Sequence, residues 1–214
     1  LCERRALCSA PPASSRLPAM GDAAPRTGLT EQEYLAFERA AEERHEYADG
    51  EILAIPAGTF EHSLIASNIN RELSTLLLER PCSSHGSDMR IHIPTTKRYL
   101  YADALVVCGQ PIFTGDKRDN LTNPVVIIEV LSDSTESYDR GDKFEQYEMI
   151  PSLRDYVLVS QKKVRIEHFL RQEDTTWQRR IAGAGERVTL ASIGCELEVD
   201  RAYLKVFGAS AGSL

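Results

Sequence analysis

Apolar residues recur at helical spacing in one part of the chain and in short continuous runs elsewhere, a pattern typical of a mixed α/β fold. Residues 61–79 carry apolar positions three and four apart and stop just before Pro81, so they predict a helix. Two apolar runs, over residues 99–108 and 124–131, predict buried strands. The pattern therefore predicts helices packed against a sheet.

Shorter signals extend this pattern. Thr30 and Glu33 form a capping box that opens a helix over residues 31–43, and Asp49-Gly50 predicts a hairpin turn. The remaining predicted elements are a loop with a short strand (89–93) within residues 82–98, a helix over 136–149, strands over 155–160, 164–170 and 177–181, a short element within 188–197 and a helix over 200–207. Residues 124–160 thus form a predicted strand–helix–strand unit.

The length of 214 residues fits one domain with extensions. Residues 1–28 are rich in Ala, Pro, Ser and Arg and show no period, so they predict a disordered extension, within which Met20 is an alternative start. The domain is expected over residues 29–208, followed by a flexible tail over residues 209–214.

Composition argues against several classes of protein. No apolar run is long enough to cross a membrane. Five cysteines without a CxxC pair argue against a disulfide framework or a zinc ribbon and favour the reducing cytoplasm, with Cys108 expected as a small buried apolar residue. The net charge of −7 does not favour a nucleic-acid binder, although a basic face or a metal ion can reverse the charge locally.

Two acidic residues and one lysine are the candidates for chemistry. Asp103 lies in the first apolar strand, Glu129 in the second, and Lys143 near the start of the helix that follows. Because an unpaired buried charge is costly, each acid predicts an ion pair or a metal ligand, and two acids on successive strands favour a metal site. Neighbouring strands lie about 4.8 Å apart, so both carboxylates can reach one hard divalent ion.

Several segments together resemble one protein family. They are Glu46-Tyr-Ala-Asp-Gly-Glu-Ile, His62 at a helix start, Tyr101-Ala-Asp-Ala-Leu-Val-Val, Asn123-Pro-Val-Val-Ile-Ile-Glu-Val-Leu-Ser-Asp-Ser-Thr-Glu, Asp139-Arg-Gly-Asp-Lys-Phe-Glu-Gln-Tyr and Pro151-Ser-Leu-Arg-Asp-Tyr-Val-Leu-Val. Over residues 29–170 the chain resembles the Uma2 family of endonucleases in the PD-(D/E)XK superfamily. The resemblance implies a restriction-endonuclease-like α/β core, with a central mixed sheet flanked by helices.

The resemblance also implies a metal-dependent DNA endonuclease. Asp103 and Glu129 would bind Mg²⁺, with Mn²⁺ as the alternative ion. Lys143 would assist the activated water, and Glu46 would add a ligand or hold a water. DNA would be the substrate, and a homodimer through a sheet edge is expected from the resemblance alone.

Four positions depart from the patterns of the family and its superfamily. The valine after the PD aspartate is Ala104, and the proline common in the segment after Glu-Val-Leu is Asp133. The lysine position of the plain superfamily pattern, two residues after the second acid, is Leu131, and the proline of the PD element is Ala102. The change to alanine alters backbone stiffness and removes no reacting group. The resemblance transfers the basic role to Lys143.

Each candidate also has a structural interpretation. Asp103 and Glu129 can form ion pairs, Lys143 can be an ordinary helix lysine, and Glu46 can be a solvated residue beside the turn. His62 is expected to have a helix-start or packing role, and Tyr147 to lie in the core with its hydroxyl near the site. The basic residues that could face phosphate or solvent are Lys162, Lys163, Arg165, Arg171, Arg179 and Arg180.

Three function classes follow from these alternatives. The first is the endonuclease; the second is a catalytically inactive nuclease-fold protein that binds nucleic acid or protein, which Ala102, Leu131 and the acidic net charge favour. The third is another phosphoester or small-molecule hydrolase. The sequence has no GxSxG motif, P-loop or recognisable nucleophilic triad to support that third class.

Overall fold

The computed structural model describes residues 27–207. The predicted flexible tail, Met20 and all but the last two residues of the predicted N-terminal extension lie outside this range. Within it, no helix is both long and apolar enough to cross a bilayer.

A six-stranded mixed sheet forms the centre of the described fold. Its strands are β3 (Cys82–Gly86), β6 (Ala104–Cys108), β8 (Val126–Leu131), β9 (Asp155–Ser160), β10 (Ile166–Arg171) and β11 (Trp177–Ala182). Their spatial order is β11-β10-β9-β8-β6-β3, with β8 and β9 parallel and the other neighbours antiparallel. The predicted central mixed sheet is confirmed.

A second sheet of five strands stands beside the first and was not expected from the sequence. Its strands are β1 (His45–Ala48), β2 (Glu51–Ala54), β4 (Arg90–Ile93), β5 (Arg98–Tyr101) and β7 (Asn120–Leu121), in the order β2-β1-β5-β4-β7. The predicted hairpin turn is confirmed: Asp49 and Gly50 both have positive φ, as a two-residue turn between twisted strands requires. The strands β12 (Arg187–Leu190) and β13 (Cys195–Glu198) form a separate hairpin.

Helices lie on both faces of the six-stranded sheet, whereas α1 (Glu31–Glu38) packs on the five-stranded sheet. The other helices are α2 (Phe60–Leu76), α3 (Glu136–Arg140), α4 (Asp142–Glu148) and α5 (Val199–Ala202). On one face, Ile65 and Ile69 of α2 pack in the same core as Ile128 of β8. On the other face, Tyr147 of α4 packs in a core with Ile127 and with residues of the five-stranded sheet. The prediction of flanking helices is therefore confirmed.

The first helix is shorter than predicted. Its capping box is present, since Glu33 N donates to Thr30 Oγ1 and Thr30 N donates to the Glu33 carboxylate. The helix nevertheless ends at Glu38, five residues before the expected end. The carboxylate of Glu38 accepts a hydrogen bond from the backbone N–H of His45, and this contact ties the helix end to the start of β1.

The apolar run over residues 99–108 was predicted as one strand and forms two. Its first part is β5 in the five-stranded sheet, and its second part is β6 in the six-stranded sheet. Ala102 and Asp103 form the crossing between them. The predicted helix over residues 136–149 is likewise two helices, because Gly141 interrupts it with φ −112° and ψ −107°.

The interpretation of the cysteines was wrong for Cys108. It forms a disulfide with Cys82, while Cys195 is buried and free. The physical reason is the strand register: β3 and β6 are antiparallel, and the two cysteines are directly opposite each other. The sequence analysis placed residues 82–86 in a loop, so it gave no partner strand for Cys108.

The C-terminal elements are of the predicted types, but their first and last residues differ from the predicted ones. Strand β10 begins two residues later than expected and pairs with β11. The element expected within residues 188–197 is the β12–β13 hairpin. The expected helix over residues 200–207 is the single short helix α5.

Candidate active site

Strand register brings the two predicted metal ligands together. Ala104 of β6 is opposite Ile128 of β8, so continuing the antiparallel pairing by one residue places Asp103 beside Glu129. The backbone N–H of Val130 donates a hydrogen bond of 2.7 Å to Asp103 Oδ2, which fixes this carboxylate against β8. Both β6 and β8 are interior strands, so the acids meet within the sheet rather than at an edge strand.

Lys143 reaches the acids from the following helix. It lies in α4 with a side chain that is only 8% exposed, and its Nζ is 3.0 Å from Glu129 Oε1 and 3.2 Å from Glu46 Oε1. The ammonium also donates a hydrogen bond of 2.8 Å to the carbonyl of Tyr101. Three residues predicted for the site thus converge from β1, β8 and α4, and Glu46 is buried rather than solvated beside the turn.

Asp139 is a member of the site that the sequence analysis did not assign. It is buried at the end of α3, and its Oδ1 is 3.7 Å from Lys143 Nζ. Tyr156 donates a hydrogen bond of 2.7 Å to the backbone carbonyl of Asp139 and holds this helix against the sheet. The signal in the sequence was the spacing of four residues between Asp139 and Lys143, since the predicted continuous helix over residues 136–149 has an acid and a base with this spacing on one face.

Tyrosine hydroxyls complete the hydrogen bonding of the buried carboxylates. Tyr147 donates to Glu129 Oε1 at 3.1 Å, and Tyr138 donates to Glu46 Oε2 at 3.0 Å. The expected position of Tyr147, in the core with its hydroxyl near the site, is confirmed. Tyr138 was not predicted, since nothing in its local sequence distinguishes it from an exposed helix tyrosine.

Burial and mutual repulsion perturb the acids of this cluster. Desolvation raises the pKa of Glu129 well above its ordinary value, Lys143 opposes that rise, and the charges of Asp139 and Asp103 add to it. Desolvation also raises the pKa of Asp139, again against the opposing charge of Lys143. Four carboxyl groups thus surround one ammonium, and a further cation at this place would favour the ionised form of the acids.

Lys143 stays protonated in this environment. Desolvation alone would lower its pKa, but the charges of Glu129 and Glu46 outweigh that effect, and the pKa of the ammonium is raised well above its ordinary value. Lys143 therefore acts as a cation and hydrogen-bond donor at neutral pH rather than as a free base.

His62 lies on the more open side of the cluster. It follows the Thr59 N-cap of α2, and its Nε2 is 3.2 Å from Asp103 Oδ2. The two side chains are 19% and 18% exposed, more than the other members of the cluster. Its hydrogen bond to Asp103 raises the pKa of His62 despite partial burial. His62 thus combines the predicted helix-start position with a direct contact to a candidate ligand.

The donor set suits a hard divalent ion. Within residues 27–207, no three His, Cys, Asp or Glu side chains are already arranged around a metal position. Mg²⁺, however, is commonly held by only one or two carboxylates, with water molecules completing its coordination. Asp103 and Glu129 are adjacent. Within the described residues, Asp103 forms its side-chain contacts through Oδ2, and Glu129 forms its contacts through Oε1. The other oxygen of each carboxylate is therefore the one that could face an ion. The residues present therefore fit such an ion.

Comparison with known families decides the relationship of this chain. The model of the Uma2 family, described as "Putative restriction endonuclease", matches residues 31–202. The chain belongs to the Uma2 family. The resemblance seen in the sequence is confirmed, and the match extends beyond it to α5.

Relatives of this Uma2 chain are found in Synechocystis sp. (strain ATCC 27184 / PCC 6803 / Kazusa). The uncharacterized protein slr1290 is 37% identical over 185 residues, which span 84% of this chain and 94% of the relative. The uncharacterized protein sll1609 is 36% identical over 149 residues, which span 70% of this chain and 84% of the relative.

A solved structure shares the fold of this Uma2 chain. It is described as "a putative nuclease belonging to DUF820 from Anabaena variabilis ATCC 29413", and it superposes with a TM-score of 0.67 at 15% sequence identity. The match covers 84% of this chain and 99% of the solved one. At this identity the comparison supports the α/β fold and carries no residue roles.

Proposed function

We propose that this Uma2 chain is a Mg²⁺-dependent DNA endonuclease, with Mn²⁺ as an alternative ion. The observation that carries the proposal is the convergence of Asp103, Glu129 and Lys143 in one buried cluster. These residues come from the crossing that precedes β6, from β8 and from α4. A mere surface ion pair would not require a buried strand acid together with a buried lysine.

Asp103 and Glu129 are the proposed ligands of the ion. When bound, the ion would polarise the phosphate and lower the pKa of a water molecule. In the net hydrolysis the water oxygen bonds to phosphorus, the bond from phosphorus to the 3′ oxygen breaks, and the 3′ oxygen takes up a proton and leaves as a hydroxyl group. The two carboxylates keep their positions through the Val130 N–H and the Tyr147 hydroxyl.

Lys143 has the proposed role of an electrostatic stabiliser. Its ammonium can donate hydrogen bonds to the negative charge that develops on the phosphate oxygens. Glu46 acts as a positioning residue for this lysine, and it is itself held by the Tyr138 hydroxyl and the backbone N–H of Tyr101. This arrangement supports the transfer of the basic role from position 131 to Lys143, since Leu131 lies in an apolar core.

The departure at Ala102 is compatible with the proposal. Ala102 is 1% exposed and packs in the core beside the crossing from β5 to β6. Asp103 still receives the Val130 hydrogen bond, so the position of the carboxylate does not depend on a preceding proline.

Cleavage of supercoiled plasmid tests the proposal. With Mg²⁺ present, the wild-type chain is expected to nick or linearise the plasmid, and Asp103→Asn and Glu129→Gln are each expected to lose on the order of a hundredfold in rate. Glu145→Gln is the matched control, because Glu145 is an exposed acid on the same helix as Lys143. Equal rates in wild type and both site variants would contradict the proposal.

The second candidate is a catalytically inactive protein that binds nucleic acid. It is favoured by the complete pairing of Lys143, whose ammonium already contacts Glu129, Glu46 and the Tyr101 carbonyl. This candidate predicts that the wild-type chain binds DNA and does not cleave it with either Mg²⁺ or Mn²⁺.

A further inference from the structure

A second buried carboxylate lies outside the candidate active site and is surrounded by arginines. Glu167 of β10 has a side chain that is 4% exposed. Its Oε1 accepts hydrogen bonds from Arg140 at 2.8 Å and from Arg165 at 3.2 Å, and its Oε2 is 3.0 Å from Arg179 Nε. One carboxylate thus organises three guanidinium groups, which leaves an excess of positive charge at this place.

The arginine cluster, formed by Arg140, Arg165 and Arg179, lies close to the candidate active site. In the central sheet Glu129 is paired with Leu158, and Leu158 is paired with Glu167, so the two acids lie in one row across β8, β9 and β10. Paired residues on neighbouring strands project from the same face. Two strand spacings separate Glu129 from Glu167, a distance of about 10 Å.

A cationic cavity opens at this cluster. Its volume is about 360 Å³, and its charged lining consists of Arg140, Lys162, Lys163 and Arg165 with Glu136 and Glu167. Its wall includes Leu131 of β8, the strand that carries Glu129, and Leu158 of β9, the neighbour of that strand, so the cavity lies beside the candidate active site. Four cations against two acids give this cavity a charge opposite to the net charge of −7 on the whole chain.

The cations of the arginine cluster and of the cavity keep hydrogen-bond donors available. A guanidinium has five N–H donors in a planar fork. Within the described residues, the side-chain contacts of Arg165 and Arg179 to acids use Nε alone. Lys163 is exposed and forms no ion pair in that part of the chain, whereas Lys162 pairs with Asp133 at the surface. Arg140 also pairs with Glu136 at 2.9 Å, so two acids face the three arginines and one positive charge is left over.

We propose that this cavity binds a backbone phosphate of the DNA strand whose scissile phosphodiester lies at Asp103 and Glu129. The inference rests on the proposed function for the choice of DNA as the ligand. Planar guanidinium groups bind phosphate oxygens bidentately, and Glu167 presets the orientation of two of them. A phosphate about 10 Å from the reacting one belongs to the same strand a few nucleotides away. The cavity therefore fixes the position of the strand and reads no base.

Fluorescence anisotropy with a fluorescein-labelled DNA duplex of about 20 base pairs tests this inference. The measurement uses the full chain in EDTA, so that binding is observed without metal and without cleavage. Each lost phosphate contact is expected to weaken binding roughly tenfold at 0.1 M salt and to reduce the slope of log K against log salt by about 0.9. Arg165→Gln tests the cluster, and the double variant Lys162→Gln, Lys163→Gln tests the cavity without touching Glu167.

Arg187→Gln is the matched control for charge. Arg187 is exposed on β12, pairs with Glu196 and Glu198, and belongs to a hairpin that packs on the opposite face of the sheet. This variant is expected to bind DNA as the wild type does. Circular dichroism of each variant checks that it is folded.

The outcomes separate this inference from the proposed function. Loss of binding in both cavity variants, with an unchanged control, supports the inference even if the wild type cleaves nothing. The inference would be overturned if both folded cavity variants bound DNA with the affinity and the salt slope of the wild type. That result would leave the cleavage experiment unaffected. The inference would also be overturned if the wild-type chain bound no DNA at 0.05 M salt. At this ionic strength a protein with about six phosphate contacts binds DNA tightly.

Discussion

Lys143 is the residue on which the charge balance of the site depends. A fully buried ammonium is unfavourable unless acids surround it, and here Glu129 and Glu46 lie within 3.2 Å of its Nζ. The same lysine offsets the repulsion among acids that would otherwise be buried together. The cluster therefore combines a structural role with the proposed chemical one, and the two can be separated by measuring stability and cleavage on the same variants.

Replacing Lys143 by methionine is expected to lower the free energy of unfolding by about 3–5 kcal/mol, because the acids are left buried without their cation. Urea unfolding followed by circular dichroism measures this change. The double variant Lys143→Met, Glu129→Gln is expected to recover part of the loss. Lys163→Met, at an exposed lysine, is the control and is expected to change stability by less than about 0.5 kcal/mol. Additive effects of the two site substitutions would contradict the account.

His92 gives the fold a predictable response to pH. Its ring is buried, stacks on Tyr99 with centroids 4.2 Å apart, and contacts Thr114 Oγ1 through Nδ1. Burial lowers the pKa of His92 below 6.5, although Glu31 partly opposes this change. The unfolded chain therefore binds a proton at this residue at a higher pH than the folded chain does, and protonation favours unfolding.

The stability that neutral His92 contributes is expected to be complete above pH 6.5 and to decrease as the pH falls toward its lowered pKa. Urea unfolding at pH 7 and at pH 5 measures the effect. The variant His92→Gln is expected to lose less stability over this interval than the wild type, since it has no titrating ring. Equal losses in the two proteins would show that other groups account for the pH dependence.

At the scale of elements, the predictions succeeded where a local signal determines the structure. The two positive-φ residues of the Asp49-Gly50 turn, the capping box at Thr30 and the apolar face of α2 are all local features. The predictions failed where one continuous segment of the chain pairs first in one sheet and then in the other. The run over residues 99–108 is apolar throughout because both of its halves are buried, so its sequence does not reveal the change of sheet between β5 and β6.

The disulfide between β3 and β6 gives a prediction about these strands. It links residues 26 apart in sequence, and closing a loop of this length is expected to stabilise the fold by about 3 kcal/mol. Dithiothreitol should therefore shift the urea midpoint of the wild type to lower concentration. The variant Cys82→Ser is expected to be less stable from the start and insensitive to the reductant. A midpoint of the wild type that dithiothreitol leaves unchanged would count against the pairing.

At the scale of the whole molecule, the long-range pairing of strands assembles the site. Glu46, Asp103, Glu129 and Asp139 come from four separate segments, and their carboxylates meet only because the two sheets and α3 converge there. The pattern of acids in strands was enough to predict Asp103, Glu129 and Lys143 as candidates. It could not show that Glu46 is buried against Lys143, because no local period encodes a contact between residues nearly one hundred positions apart.

Charge is distributed unevenly over this fold. An acidic cluster at Asp103 and Glu129 and a cationic cavity at Arg140 and Arg165 lie on neighbouring parts of one sheet, although the chain as a whole is acidic. The net charge of −7 that argued against a nucleic-acid ligand is therefore not informative about this face. A divalent ion at the acidic cluster would reduce the repulsion of an incoming phosphate further.

The central claim is that Asp103 and Glu129 bind a divalent ion beside Lys143. Isothermal titration calorimetry of Mg²⁺ and of Mn²⁺ into the full chain tests it most directly, with the double variant Asp103→Ala, Glu129→Ala measured alongside. The wild type is expected to bind one ion saturably, and the folded double variant is expected to bind none. The same heats from the two proteins, for both ions, would contradict it.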